Sequence, residues 1–283
     1  MRFPLDIQFV FTANPEDYTN RGSIVTPLKD RIESQILTHY PRTVEVAQTI
    51  TSQEAAITAE QSAKVTIPDD AKNLLEMISF NARESDFVDE KSGISARMSI
   101  SAMENLISAA ERRMLKNKEK KTSIRITDFW GIIPALTGKM ELVYEGEQEG
   151  PYNVALHLLN EAIKQKFDEH FMSPDDAMKM NEKDPYGVIR AWFSGNNKVD
   201  FLVDDSEKDH TKKLNAVEGL DKLIKFKKVA KEDQQFFKEL ALHGLAAHEV
   251  IGKNLVDSSL TFLDPLASML DDMEDDNGDF LNF

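Results

Sequence analysis

The sequence predicts a mainly α-helical chain that opens on one buried-type strand. Two observations carry this. Residues 6–13 (DIQFVFTA) form a nearly continuous apolar run closed by Asn14-Pro15, the pattern of a strand covered on both faces. Nearly every later segment repeats apolar residues at three- and four-residue spacing, the period of a helix buried on one side. With 283 residues and 41% hydrophobic content, the chain has enough apolar material for a sizeable core.

The first helical pattern spans 28–37, with Leu28, Ile32, Ile36 and Leu37 on one face. Pro41 breaks it, and a second pattern spans 42–63. Thr66-Ile67-Pro68-Asp69-Asp70 opens a third helix, striped by Ala71, Leu74, Leu75, Met77 and Ile78 and ending near Asn81. A fourth carries Met103, Leu106, Ile107 and Ala110 on one face, with Ser99 or Ser101 as its N-cap. Further helices are expected over 127–136, 152–171, 186–194, 207–225 and 232–254. Polar stretches at 138–153 and 204–210 read as loops, and a boundary falls near 145. The organisation expected is a unit over 1–40, a helical unit over 41–145, a helical region over 146–270 and an acidic tail over 271–283.

Composition excludes several functions. The chain has no cysteine, which removes disulfides, thiolate metal sites and a cysteine nucleophile, and fits a reducing, cytoplasmic setting. A formal charge of -15 argues against nucleic acid as a partner, because that affinity rests on neutralising phosphates. The basic run over 112–121 reads as a solvated helix end. No apolar stretch approaches the ~20 residues that span a bilayer, so no membrane association is expected.

A phosphate-binding loop needs G-x-x-x-x-G-K-[ST]. Gly138-Lys139 comes nearest and fails, with Ile133 at the first glycine and Met140 at the hydroxyl position, so it reads as a helix stop. The acidic tail places Met273 where a calcium loop needs its first ligand. The six histidines form no HExxH, and His243 and His248 read as packing or surface residues. No metal site is expected.

One constellation remains. A carboxamide at a strand end can orient a water beside a terminal phosphate, and arginines can stabilise charge in phosphoryl transfer. Asn14, Arg31 and Arg97 offer these groups in order. Taken alone, the same three also read as an Asn-Pro turn, a local Asp30–Arg31 helix ion pair and an exposed cation.

The run FTANPEDYTNRGSIVTPLKDRIESQI closely resembles the sensor 1 to arginine-finger segment of AAA+ ATPases of the magnesium-chelatase I-subunit and MoxR branch. There a strand ends in T-x-N-P-E and a following helix carries L-x-D-R. SGISARMSISAMENLISAAERR similarly resembles the lid segment bearing sensor 2, and the likeness covers about residues 3–116. The resemblance implies a remnant of an α/β AAA+ core over 1–40, a helical lid over 41–145 and a helical C-terminal region. It implies that Asn14 acts as sensor 1, Arg31 as the finger reaching a neighbouring protomer and Arg97 as sensor 2. Arg21 then makes an inter-subunit contact and Asp30 orients Arg31.

Walker A and B segments are absent, so the expectation is the C-terminal part of a longer ring-forming ATPase. ATP and Mg2+ are then bound by the full-length parent, and this chain alone is inactive. Self-association in a ring and a von Willebrand A domain partner are implied by the same branch. The alternative is a non-catalytic helical interaction module. Residues 1–40, with an unpaired strand, are expected to be the least stable part.

Overall fold

The computed structural model describes residues 6–12, 30–89, 94–180, 183–227, 229–256 and 259–266. The described chain is mainly helical, as expected.

The 42–63 pattern resolves into two helices, α1 (Val44–Glu54) and α2 (Ala59–Lys64). Thr58 divides them: its hydroxyl accepts from the Gln61 N–H while the Gln61 side chain accepts from the Thr58 N–H, a reciprocal cap that starts a new helix. A two-residue strand, β1 (Val65–Thr66), leads into α3 (Asp69–Glu84). Asp69 and Asp70 lie in its first turn, where the helix dipole favours carboxylates. Its expected stripe is buried and extends to Ala82. The longest early helix, α4 (Arg97–Lys116), buries Met98, Ala102, Met103, Leu106, Ile107, Ala110 and Met114. It starts earlier than the serine spacing implies, so Ser99 lies inside it, buried, and Ser101 also lies within the helix.

Strand β2 (Thr122–Ser123) pairs in parallel with β1. A 3-10 helix over Ile126–Ile132 and α5 (Ile133–Thr137) replace the single helix expected there. After α6 (Tyr144–Glu149) comes α7 (Pro151–His170), packed on α3 and α5. The short α8 (Pro174–Met178) and α9 (Gly187–Ser194) follow.

Residues 207–225 also divide. Ser206 caps α10 (Glu207–Ala216), and Gly219, at φ 90°, turns the chain into α11 (Leu220–Lys227). A side chain at Gly219 would meet strain and stand 2.9 Å from Val188. The last helix, α12 (Gln234–Ala247), is buried almost all round and packs on α7. Gly244 permits this contact, because a Cβ there would lie 2.1 Å from the Phe167 ring.

The helical reading of 232–254 stops short. Glu249, at φ 58°, turns the chain into β4 (Gly252–Val256), which pairs with β5 (Ser259–Leu263). β5 in turn pairs with β3 (Val199–Leu202), giving an antiparallel sheet ordered β3-β5-β4. One core runs from Val65 to Phe262 and continues through residue 145 without a break.

The beginning of the chain departs from expectation. Residues 6–12 form no strand, and Phe9 and Val10 are 72% and 81% exposed. Within the described part of the 28–37 pattern, Asp30 and Arg31 form a turn and residues 32–37 no helix. The physical reason is the same in both places. A strand needs a neighbour, and a helix of ten residues is marginal in water unless its apolar face is covered. No described residue covers either one: Ile36 is 90% exposed and Leu37 75%.

Candidate functional site

The sequence points to five residues. Asn14 and Arg21 lie outside the described residues. Asp30 and Arg31 are exposed, and no ion pair joins them. Arg97 is the first residue of α4 and is exposed, while Met98 and Ser99 beside it are buried. Its guanidinium therefore stands at the rim of a helix whose other side is anchored in the core.

The start of α4 lacks an ordinary cap. Its N-cap is Ala96, which contributes no side-chain bond, and its first turn has no acidic residue. Ser95, just before the helix, and contacts from elsewhere hold this region instead. The Ser95 hydroxyl accepts from the Arg97 N–H at 3.2 Å, and the Met98 N–H donates to the Ser95 carbonyl at 2.8 Å. Ile94 bridges to Met140 as an isolated antiparallel pair. On another side, the Tyr40 hydroxyl donates to the Ile94 carbonyl. The Arg83 guanidinium carbon lies 4.5 Å from the Tyr40 ring centre.

Two residues beyond Arg97, the Ser99 hydroxyl donates to Glu76 Oε2 at 2.8 Å. The Thr51 hydroxyl donates to Glu76 Oε1 at 2.5 Å, so one buried carboxylate joins α1, α3 and α4. Burial pushes the Glu76 carboxyl up, against the Thr51 and Ser99 bonds and the Arg83 charge. Burial also pushes Arg83 down. Tyr40, Glu76 and Arg83 carry no sequence signal for this arrangement. Ser99 carries one, the helix-start spacing, which points to a cap rather than to a carboxylate twenty-three residues upstream.

Gly138-Lys139 is a helix stop, as expected: Gly138 caps α5 and its N–H donates to the Pro134 carbonyl at 3.2 Å.

A second polar group lies inside the body. Arg113, fully buried, grips both Asp128 oxygens at 3.0 and 2.8 Å and also donates to Thr122 and the Ser123 carbonyl. Burial alone lowers the pKa of this guanidinium, but Asp128, with Glu207 and Glu239 behind it, opposes this and the net direction is upward. Glu239 accepts from the Ile126 and Thr127 N–H groups at 2.7 and 3.1 Å, closing the start of the 3-10 helix, and His210 Nε2 stands 3.4 Å away. Burial pushes Glu239 up, yet the charge and hydrogen bond of His210 lead the opposing effects that hold it down to about 2. These contacts cap backbone and neutralise charge, which is a structural task.

His243 is a packing residue, as expected, with Trp130 and Phe262 rings 5.4 and 5.1 Å from its own. Burial pulls it down to about 3, so it is neutral. His248 pairs with Asp168 at 2.7 Å. Among the described residues no group of His, Asp and Glu could hold a metal ion. Two surface clefts, of about 500 and 240 Å3, open elsewhere, and neither is lined by Arg31 or Arg97. Among the described residues no helix is long and apolar enough to cross a membrane. Comparisons with protein-family models, with curated proteins and with solved structures gave no match.

Proposed function

We propose that this chain is the lid and C-terminal helical part of a ring-forming AAA+ ATPase of the magnesium-chelatase I-subunit and MoxR type, which uses ATP hydrolysis to remodel a client or drive metal insertion. The observation that carries this reading is the presentation of Arg97. An exposed guanidinium opens a long, core-anchored helix, beside a loop bonded to Tyr40 at the end of the segment that carries Asp30 and Arg31. A sensor needs this combination of a free head and a fixed base.

In the reaction a water oxygen attacks the γ-phosphorus. The bond to the β–γ bridging oxygen breaks, its electron pair leaves with ADP, and the water proton passes to solvent. Asn14 orients the water in this reading, Arg31 of one protomer stabilises the charge developing in its neighbour, and Arg97 contacts the γ-phosphate. Asp30 orients Arg31, and Arg21 meets the neighbouring subunit. Among the described residues there is no carboxylate cluster suited to Mg2+, and Gly138-Lys139 is not a phosphate loop. In this reading the metal ligands and phosphate cradle come from another polypeptide segment.

The test mixes the full chain with a separately expressed P-loop-bearing α/β half and measures phosphate release. Release is expected only from the mixture, and Arg31→Ala should reduce it by about a thousand-fold while ATP binding persists. No release from the mixture would overturn the reading. That result would favour the second one, a non-catalytic helical interaction module.

A further inference from the structure

The two grips on the start of α4 bracket Arg97. Tyr40 holds the carbonyl of Ile94, three residues before it, and Glu76 holds the hydroxyl of Ser99, two residues after it. Between these grips lies Arg83. It stacks on Tyr40 at 4.5 Å and on Phe80 at 5.0 Å, and it donates to the Ser79 hydroxyl at 3.0 Å. No carboxylate stands within ion-pair distance of Arg83 among the described residues, and its buried Nε has no hydrogen-bond partner. Its positive charge is nevertheless felt by Glu76. An arginine whose burial is only partly compensated is costly to keep, and here it contacts Tyr40 and acts electrostatically on Glu76, the two side chains that grip either side of Arg97.

We propose that Tyr40, Arg83 and Glu76 form a positioning clasp: they add to the local Ser95 bonds in fixing the first turn of α4, so that the Arg97 guanidinium points one way and its direction depends on where the 30–40 segment lies. The catalytic consequence rests on the function proposed above, whereas the mechanical one does not. An ordinary helix start is satisfied by its own cap and is indifferent to distant chain. This one has the local Ser95 bonds and takes further order from Tyr40, which follows the Asp30–Arg31 turn by nine residues, and from Thr51 through Glu76. Displacing the 30–40 segment withdraws the Tyr40 hydroxyl from Ile94 and uncovers Arg83. The first turn of α4 then keeps the Ser95 bonds, Glu76 and the Met140 bridge, but loses its tie to the 30–40 segment. Tyr40, Arg83 and Glu76 are positioning residues, and Arg97 is the group that meets the phosphate.

The experiment uses the full chain and two variants that leave the core intact. Tyr40→Phe deletes the hydroxyl but keeps the ring under Arg83, and Ser99→Ala deletes the donor to Glu76. Amide hydrogen exchange over residues 98–103 should quicken by about five-fold in each, as expected for one lost hydrogen bond, with exchange in Gln234–Ala247 unchanged. In the mixture with the P-loop half, Tyr40→Phe should lower kcat for phosphate release several-fold. It should lower it no further when Arg97 is already alanine, because the clasp acts through Arg97.

Unchanged exchange over 98–103 in both variants would overturn the clasp. So would a Tyr40→Phe effect on kcat that persists undiminished in the Arg97→Ala background. A mixture that releases no phosphate even with the unaltered chain defeats the ATPase reading instead, and the exchange result alone then decides the clasp.

Discussion

Ile36 and Ile78 are the same residue type on the same helical spacing, yet Ile36 is 90% exposed in irregular chain and Ile78 is fully buried in α3. The pattern around each is equally regular. What differs is the neighbour: α3 lies against α1, α4 and α7, whereas nothing described covers the apolar side of 30–40. Periodicity thus states what a segment can bury, and only a partner surface turns that capacity into a helix. The described residues within 44–263 supply one another with partners, whereas those at 6–12 and 33–37 stay exposed.

The sharpest way to break the contrast is to damage the body where charge is buried. Arg113→Ala should cost about 3–5 kcal/mol, because it leaves Asp128 buried without its counter-charge. Urea unfolding of the variant measures this, and a loss under about 1 kcal/mol would mean that the pair is not desolvated as described. Next comes Gly244→Ala. Helix propensity alone favours alanine by about 1 kcal/mol, but the new methyl collides with Phe167 and the two central helices must part, for a net loss of about 1–3 kcal/mol. A stabilised variant would show that α7 and α12 are not in contact at this point.

Proton linkage gives the third test. The folded-state pKa of His243 is depressed from 6.5 to about 3, so between those values the unfolded chain binds a proton that the folded chain does not. Stability is therefore intact above about pH 6.5 and falls as pH drops toward 3, by at most about 1.4 kcal/mol per pH unit. Asp70 has its own window. The His170 hydrogen bond, with Lys166 and against burial, depresses it from 3.8 to about 2, and its contribution is present above 3.8 and lost as pH falls through about 2. His243→Leu should flatten the upper window and leave the lower one, which denaturation midpoints across pH would reveal.

The smallest effect is expected from the uncovered region. Leu37→Ser should change the unfolding midpoint of the body by less than about 0.5 kcal/mol, and amides over 6–12 and 30–40 should exchange fastest of those described. Slow exchange there would mean that this region finds a cover after all.

These differences also explain which features were readable beforehand. α3, α4 and α7 were legible because each carries an unbroken stripe, and Gly138 was legible as a stop because the phosphate-loop motif fails on both sides of it. The splitting of 207–225 depends on one left-handed glycine, and the reciprocal cap at Thr58 divides an otherwise continuous pattern. The three-stranded sheet was hidden because Val250 extends the apolar pattern of α12 past its end, and the pairing with β5 and β3 is non-local. At the site, Arg97 was legible as an exposed group, while the contacts of Glu76 with Thr51 and Ser99 join positions far apart in sequence.

The unbroken core has a mechanical corollary. α3 leans on α7, α7 on α12, and α12 on β4, so the path from the Arg97 end to the sheet runs through packed side chains with no soft joint. A load applied at one extremity therefore meets close-packed side chains along its whole path, the kind of interior that passes strain on rather than absorbing it.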